Sequence, residues 1–371
     1  MINFKNKLGK RFDRKLFTLT VILCLFGFVM LYSATLSFKP EVARKILKPQ
    51  IIATILGFIA IGFLMAIDYQ ILGDFYLPIY GLSNFLLVLV LLFGTGADRW
   101  GADSWLKIGP VTFQPSEFVK IGLIISLAKY IDMNKEDLNR PLTLLKVLAF
   151  AMFPVILILL QPDAGTAMVF VFFIAAMLFA AGIDWKYIGY ALVLGIISLP
   201  LLWFRLDTYQ KNRIFDFLDP YRNPTGSGYQ AIQGQIAVGS GKFFGRGLFK
   251  GAQTQYQYIP QKQDDFIFPV IVEELGFLGG CFLILVYFLF LKRLIEIARE
   301  STDLFGSLIV IGFTAVLVFH VFENIGMTIG VMPVTGIPLP FISHGGTFQL
   351  VNLVSVGLAL SVAVHRENLS F

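Results

Sequence analysis

The stretch Asp264-Asp265-Phe266-Ile267-Phe268-Pro269-Val270-Ile271-Val272-Glu273-Glu274-Leu275-Gly276 sets four acidic residues in or beside an apolar run that otherwise reads as a membrane helix. An ionisable group at bilayer depth costs roughly 2.5–3.5 kcal/mol on insertion scales, so it is retained there for a task. The same stretch closes the one long polar segment of the chain, 206–265. Where a large loop meets buried acids, chemistry is expected.

Working outward, apolar windows long enough to cross a hydrocarbon core recur along the whole sequence. They fall near 16–36, 50–67, 75–94, 114–131, 143–160, 164–182, 187–205, 266–291, 304–329 and 347–364. Of 371 residues, 56% are hydrophobic and 15% charged, with a mean hydropathy of +0.75. That mix excludes an ordinary soluble domain. The windows are continuous runs rather than alternating strands, which excludes a β-barrel. The expected fold class is an all-α polytopic membrane protein, one bundle of about ten transmembrane helices. It forms a single domain over 1–371, with a tail at 1–15 and a large extracellular loop at 206–265 between helices 7 and 8.

Six Lys/Arg stand among the first fifteen residues, and no small-residue cleavage pattern follows Tyr32-Ser33-Ala34-Thr35. An uncleaved first helix is expected. With the N-terminus inside, the inner segments hold 13 Lys/Arg against 6 in the short outer loops. Both termini are therefore expected on the cytoplasmic side. The net charge of +6 is read as this topology signal, not as a nucleic-acid footprint. Cys24 and Cys281 lie in apolar spans and read as packing residues, with no disulfide framework implied.

No internal repeat is evident, which weakens an inverted-repeat transporter. Two further outer loops, 95–113 and 331–346, are rich in Gly, Pro and aromatic residues. The long segment carries Tyr209, Tyr221, Tyr229, Tyr256 and Tyr258, a content that predicts an ordered loop lying against the membrane face.

Several constellations carry candidate chemistry. In Gln114-Pro115-Ser116-Glu117-Phe118-Val119-Lys120, Pro115 and Glu117 are ordinary helix-start residues. Lys120 lies three residues beyond Glu117, hence on the same face. A structural ion pair and a polar cavity wall are both open readings. In Gln161-Pro162-Asp163-Ala164-Gly165-Thr166, Asp163 is a natural N-cap, or else it shapes a polar site with the exposed N–H groups. In the long segment, Gly239-Ser240-Gly241-Lys242 and Gly245-Arg246-Gly247 follow Asn212-Arg213 and Gly228-Tyr229-Gln230. There is no GxxxxGK[ST] nucleotide loop. Arg213, Lys242 and Arg246 are candidate pyrophosphate partners, with a basic surface near anionic lipid as the alternative. Asn324-Ile325-Gly326-Met327, then Pro333-Val334-Thr335-Gly336-Ile337-Pro338-Leu339-Pro340-Phe341, lead to Ser343-His344-Gly345-Gly346. This run suggests broken helix lining a cavity, with Glu323 as another intramembrane acid. His344 has no paired ligand and is not read as catalytic. Asp264 or Asp265 could equally cap the eighth span.

Taken in order, the blocks 114–120, 161–166, 228–230, 239–241, 265–276 and 324–346 resemble the SEDS family (shape, elongation, division and sporulation). The 324–341 block resembles its RodA branch more than its division paralogue. Ser104, beside Trp105, stands where many relatives carry Arg, and Arg99 is a candidate substitute. Lys242 replaces a Gly, and Gln263-Asp264 replaces a His-Thr.

The resemblance implies ten transmembrane helices and peptidoglycan glycosyltransferase activity on lipid II in the bacterial cytoplasmic membrane. It also implies a class B penicillin-binding protein, the transpeptidase, as partner, within a set of elongation-complex membrane proteins. It aligns Asp265, and not Asp264, with the family's catalytic acid. On this reading Asp265 is the general base of an inverting displacement of undecaprenyl pyrophosphate. Glu117, Lys120, Asp163, Arg213, Lys242, Arg246, Glu273, Glu274, Trp105 and Ser343 are candidates for substrate contact or cavity structure. A divalent cation, Mg or Mn, is a candidate at the pyrophosphate. A lipid-linked precursor flippase and a non-catalytic scaffold that activates a transpeptidase are the rival readings.

Overall fold

The computed structural model describes residues 12–96, 104–109, 111–205, 208–226 and 228–366. Most of the basic tail and Arg99 therefore lie outside the described residues. Fourteen α-helices are present among them. In chain order they are α1 Arg14–Thr35, α2 Pro40–Ala66, α3 Gln70–Asp74, α4 Tyr76–Phe93, α5 Pro115–Met133, α6 Pro141–Leu159 and α7 Ala164–Ala180. There follow α8 Trp185–Arg205, α9 Thr208–Leu218, α10 Tyr229–Gly241, α11 Ala252–Gln255, α12 Ile267–Arg299, α13 Leu304–Thr328 and α14 Gly346–His365. A two-stranded hairpin, β1 Leu106–Ile108 with β2 Val111–Phe113, precedes α5.

All ten expected spans are helices, and the chain is a multi-pass membrane protein. Seven are long and apolar enough to cross a bilayer by length and composition, while α7 and the apolar part of α8 are shorter. The remaining one, α5, carries Glu117, Lys120, Lys129 and Asp132. Its place explains that composition: α5 is enclosed by α4, α13 and α6, and most of its residues are buried in protein. Polar groups that lipid would reject are tolerated where they face the bundle interior.

Glycine sets the tightest helix crossing. Between α2 and α14, Gly57 lies against the Leu353 side chain and Gly357 against Ile61 and Leu64. Small residues let two helices approach closely where lipid gives no hydrophobic reason to associate.

The described part of the long loop, 208–226 and 228–265, is a folded layer, as its aromatic content predicts. It contains α9, α10 and α11, and α10 packs along α12. Lys262 is its clasp on α1. Its ammonium donates to Ser37 Oγ at 2.5 Å and to the Thr254 carbonyl, and it lies 4.9 Å from the Phe38 ring. Burial pulls the Lys262 pKa down to about 8, against the attraction of Glu273 and Glu274. This contact puts the segment at the same end of the bundle as the α1–α2 turn.

The long helix α12 is broken at Gly276, whose φ of 72° and ψ of −170° are open almost only to glycine. The break frees backbone groups that the segment then takes up. Arg246 N–H donates to the Glu273 carbonyl and Gly247 N–H to Glu274, while Phe277 and Leu278 N–H donate to the carbonyls of Lys242 and Phe243. A Cβ at Gly276 would overlap the Gly245 amide and the Phe243 carbonyl, both main-chain atoms that cannot rotate away. Gly276→Ala is expected to lose about 1–3 kcal/mol from conformation alone, with the overlap in addition. The readout is a lowered melting temperature and reduced monodisperse yield in detergent. Parent-like melting would contradict this reading of the break.

Candidate active site

Asp265 lies between α9–α11 and the start of α12, and is 6% exposed. Its backbone carbonyl accepts from Asn324 Nδ2 at 2.8 Å, and the same amide nitrogen donates to the Ile337 carbonyl at 2.7 Å. One side chain of α13 thus fixes both the acid and the irregular 329–345 segment. The carboxylate itself is held loosely: Oδ1 is buried with no hydrogen-bond partner, and a Cβ on Gly336 would stand 3.7 Å from Oδ2. Burial, then the neighbouring Asp264 charge, push the Asp265 pKa up to about 7, with Arg213 acting in the opposite sense. A carboxylate poised near neutrality, with Oδ1 lacking a hydrogen-bond partner, is suited to accept a proton.

Asp264 has a different setting. Its Oδ1 meets His344 Nδ1 at 2.9 Å and its Oδ2 accepts from Gln263 Nε2 at 2.7 Å, while His344 N–H donates to the Gln263 carbonyl. Neither acid is the helix cap that the sequence left open: the residue at that position is Phe266, and no side chain caps α12.

A second polar cluster lies one helical turn along α13. Lys120 Nζ contacts Glu117 Oε1 at 2.9 Å and His320 Nε2 at 3.3 Å, and lies 5.6 Å from the centre of the Phe348 ring. His320 Nδ1 is 3.1 Å from the Pro338 carbonyl. Since that carbonyl can only accept, Nδ1 carries the proton and Nε2 accepts from Lys120. All three side chains are buried. Beside them, Asp163 caps α7 through Thr166 N–H at 3.0 Å and also takes Gln114 Nε2 at 3.2 Å. Thr335 donates to Glu323 at 2.9 Å. The 333–341 segment is therefore gripped by His320, Glu323 and Asn324 of α13. The geometry of Glu117 and Lys120 is that of the ion pair, extended to His320.

The structure separates other candidates from Asp265. Of the three basic residues, only Arg213 acts on it. Lys242 and Arg246 attend the Gly276 break, roughly 16 Å along α12 at 1.5 Å per residue. Arg246 Nε donates to the Ser240 carbonyl there. Glu273 and Glu274 are fully buried staples. Glu273 accepts from the backbone N–H groups of Gln253 and Thr254 and from Thr254 Oγ1; Glu274 accepts from Ser33 Oγ and Phe249 N–H. Their hydrogen bonds hold Ser33 of α1 and the 249–254 stretch to α12, a structural use of both acids. Ser343 Oγ accepts from Leu339 N–H and closes a turn. Trp105 is bridged to Thr95 by a pair of backbone hydrogen bonds at the base of the hairpin. Glu273→Gln would strip the charge from an acceptor of three bonds, and a loss of about 1–3 kcal/mol is expected. The detergent melting curve checks it; an unchanged midpoint would contradict the staple.

A cavity of about 350 Å³ has Arg213, which acts on Asp265, in its walls together with Asp216, Gln230, Met327 and Val334. Among the described residues, no three His, Cys, Asp or Glu side chains converge to hold a metal ion.

His320 had not been singled out in the sequence. Its only signal was a polar ring in an apolar span, one turn before Asn324.

The comparisons agree with this architecture. The model of the family comprising FtsW, RodA and SpoVE, described as cell cycle proteins, matches residues 14–368. Stage V sporulation protein E of Bacillus subtilis is 36% identical over 359 residues, covering 95% of this chain and 96% of its own. Peptidoglycan glycosyltransferase MrdB of Escherichia coli is 38% identical over 286 residues, 77% of each chain. A chain from a solved peptidoglycan synthase complex that coordinates polymerization and crosslinking superposes with a TM-score of 0.81 at 32% identity, covering 95% of this chain and 97% of that one. The Thermus thermophilus Rod shape determining protein RodA superposes with a TM-score of 0.72 at 30% identity, covering 96% and 97%. With the family model spanning nearly its whole length, this chain belongs to the FtsW, RodA and SpoVE family, the SEDS proteins that its sequence blocks resemble.

Proposed function

We propose that this chain is a peptidoglycan glycosyltransferase that polymerises lipid II into β-1,4 glycan strands, with Asp265 as general base. The observation that carries the reading is a buried carboxylate whose Oδ1 has no hydrogen-bond partner, whose pKa is pushed up to about 7, and whose neighbouring Arg213 also lines a cavity. The names of relatives such as MrdB supply the reaction class.

In the step proposed, the 4-hydroxyl of the acceptor sugar gives its proton to Asp265. Its oxygen lone pair attacks C1 of the donor from the face opposite the pyrophosphate. The C1–O bond breaks, its electrons leave on undecaprenyl pyrophosphate, and the α linkage becomes β. Arg213 is the cation nearest the acid among the three basic candidates, and would offset charge developing on the leaving group. A divalent cation taking part would be held chiefly by the pyrophosphate oxygens, with one or two carboxylates at most.

Both termini are proposed to be cytoplasmic, with 206–265 facing outward, where lipid II would be used. An elongation role with a class B penicillin-binding protein is proposed from the likeness to a chain of a synthase complex.

The test is purified protein given lipid II alone. A glycan ladder is expected. Lipid II consumed by no route, while labelled precursor crosses a vesicle bilayer, would favour the flippase. Activity only of an added transpeptidase would favour the scaffold. The positioned base favours the enzyme, since neither rival needs one.

A further inference from the structure

We propose that His320 of α13 is a positioning residue, which couples the Glu117–Lys120 pair of α5 to the 333–341 segment and through it seats the carboxylate of Asp265. This rests on the reading of Asp265 as base and adds the residue that keeps the base in place.

The segment needs outside support. Pro333, Pro338 and Pro340 have no N–H to give, and residues 333–339 form no regular element of their own. Side chains from one turn of α13 take up its polar groups instead. Glu323 accepts from Thr335 Oγ1 at 2.9 Å, Asn324 donates to the Ile337 carbonyl at 2.7 Å, and His320 Nδ1 donates to the Pro338 carbonyl at 3.1 Å. Residues 320, 323 and 324 share one face of a helix, so the segment is fastened along that face.

Two of its residues bear on the acid. The amide of Asn324 that holds Ile337 also holds the Asp265 carbonyl, at 2.8 Å. Between Thr335 and Ile337, a Cβ on Gly336 would stand 3.7 Å from Asp265 Oδ2. The segment is thus part of the cover that leaves Asp265 only 6% exposed.

His320 is the contact that reaches beyond the segment. Its Nε2 accepts from Lys120 at 3.3 Å, and its ring lies 5.0 Å from that of Phe348. The task requires a side chain that donates at one atom and accepts at another. A neutral imidazole or a carboxamide does both; Lys and Arg only donate, a carboxylate only accepts, and a phenyl ring does neither. With Nε2 engaged by the ammonium, the imidazole proton stays on Nδ1, facing the Pro338 carbonyl. The ion pair fixes the tautomer, and the tautomer fixes the segment.

His320→Phe keeps the ring and removes both hydrogen bonds, whereas His320→Gln keeps one donor and one acceptor. The readout is the ionisation of Asp265 in purified, detergent-solubilised protein, followed by the infrared band of its protonated carboxyl and assigned by the loss of that band in Asp265→Asn. The charges acting on Asp265 are Asp264 and, from α9, Arg213. Glu323 of α13 is bonded to Thr335, and His344 to Asp264. Neither substitution alters any of these groups. Burial is the largest cause holding the carboxyl at about 7, so a loosened cover should move its titration in His320→Phe down by about one pH unit. His320→Gln should titrate as the parent does. Given lipid II, His320→Phe is expected to lose about 10–100-fold in kcat, with KM within about threefold, as a misplaced catalytic group does. His320→Gln should recover most of that loss.

An unshifted titration in folded His320→Phe, or equal shifts in His320→Phe and His320→Gln, would overturn the coupling. Should His320→Phe not fold, the more adaptable His320→Met takes its place. If neither folds while His320→Gln does, the contact serves stability alone and the proposal falls. The infrared titration uses no lipid II, so its failure would leave the polymerase reading standing. Absence of a glycan ladder beside a shifted titration would instead strike that reading alone.

Discussion

Asp265→Asn is expected to lower glycan polymerisation by about 10²–10⁴-fold, the range that a positioned general base contributes. The substitution keeps the shape of the side chain and leaves the Asn324 contact intact, because that contact is made by the backbone carbonyl. It removes only the capacity to take a proton. Stability should move the other way. A carboxyl whose folded pKa lies above its ordinary value stabilises the fold while protonated, and loses that contribution as pH rises through about 7. At pH 8 the parent therefore holds a buried charge that burial and Asp264 disfavour and Arg213 offsets only in part, and Asp265→Asn should melt no lower than the parent. Asp264→Asn is expected to retain substantial activity and to shift the acidic limb of the pH profile downward, because the Asp264 charge raises the Asp265 pKa. Near-normal polymerisation by folded Asp265→Asn would refute the assignment.

The second large effect concerns Glu117 and Lys120. Removing one partner of a fully buried pair costs about 3–5 kcal/mol, because the other charge is left uncompensated. Lys120→Met strands both Glu117 and the bare Nε2 of His320, whereas Glu117→Gln leaves Lys120 its His320 contact. Lys120→Met should therefore be the more damaging. The double variant should recover part of the loss, since both charges then leave together. Melting temperatures of the two single variants and the double variant in detergent measure this. Strict additivity would contradict coupling across the pair.

How much of this was legible in the sequence follows from the range of each interaction. The spans were readable because hydropathy is local, and even the polar α5 was found despite its four charges. The Asp163 cap and the Glu117–Lys120 pair were readable because their partners lie three residues apart. Glu273 and Glu274 read as membrane acids for either cavity structure or substrate contact, and their partners, Ser33 and 249–254, come from other parts of the chain. Nothing in a sequence window reveals that. The same holds for Lys120 and His320, which are 200 positions apart, and for Lys242 and Arg246. Those two read as candidate pyrophosphate partners or as a basic surface near anionic lipid, while their backbone groups fasten a helix break. Asp265 was singled out by the family blocks; from residues alone a cap was an equal reading, and the cap position falls on Phe266.

The central claim, that Asp265 must lose its proton before a glycosidic bond can form, is tested most directly by the pH dependence of polymerisation by purified protein under limiting lipid II. The rate is predicted to climb through an inflection near pH 7 and level off above it, falling about tenfold one pH unit below the inflection. A rate flat from pH 5.5 to 8.5, or an inflection near the ordinary carboxylate value, would contradict the account.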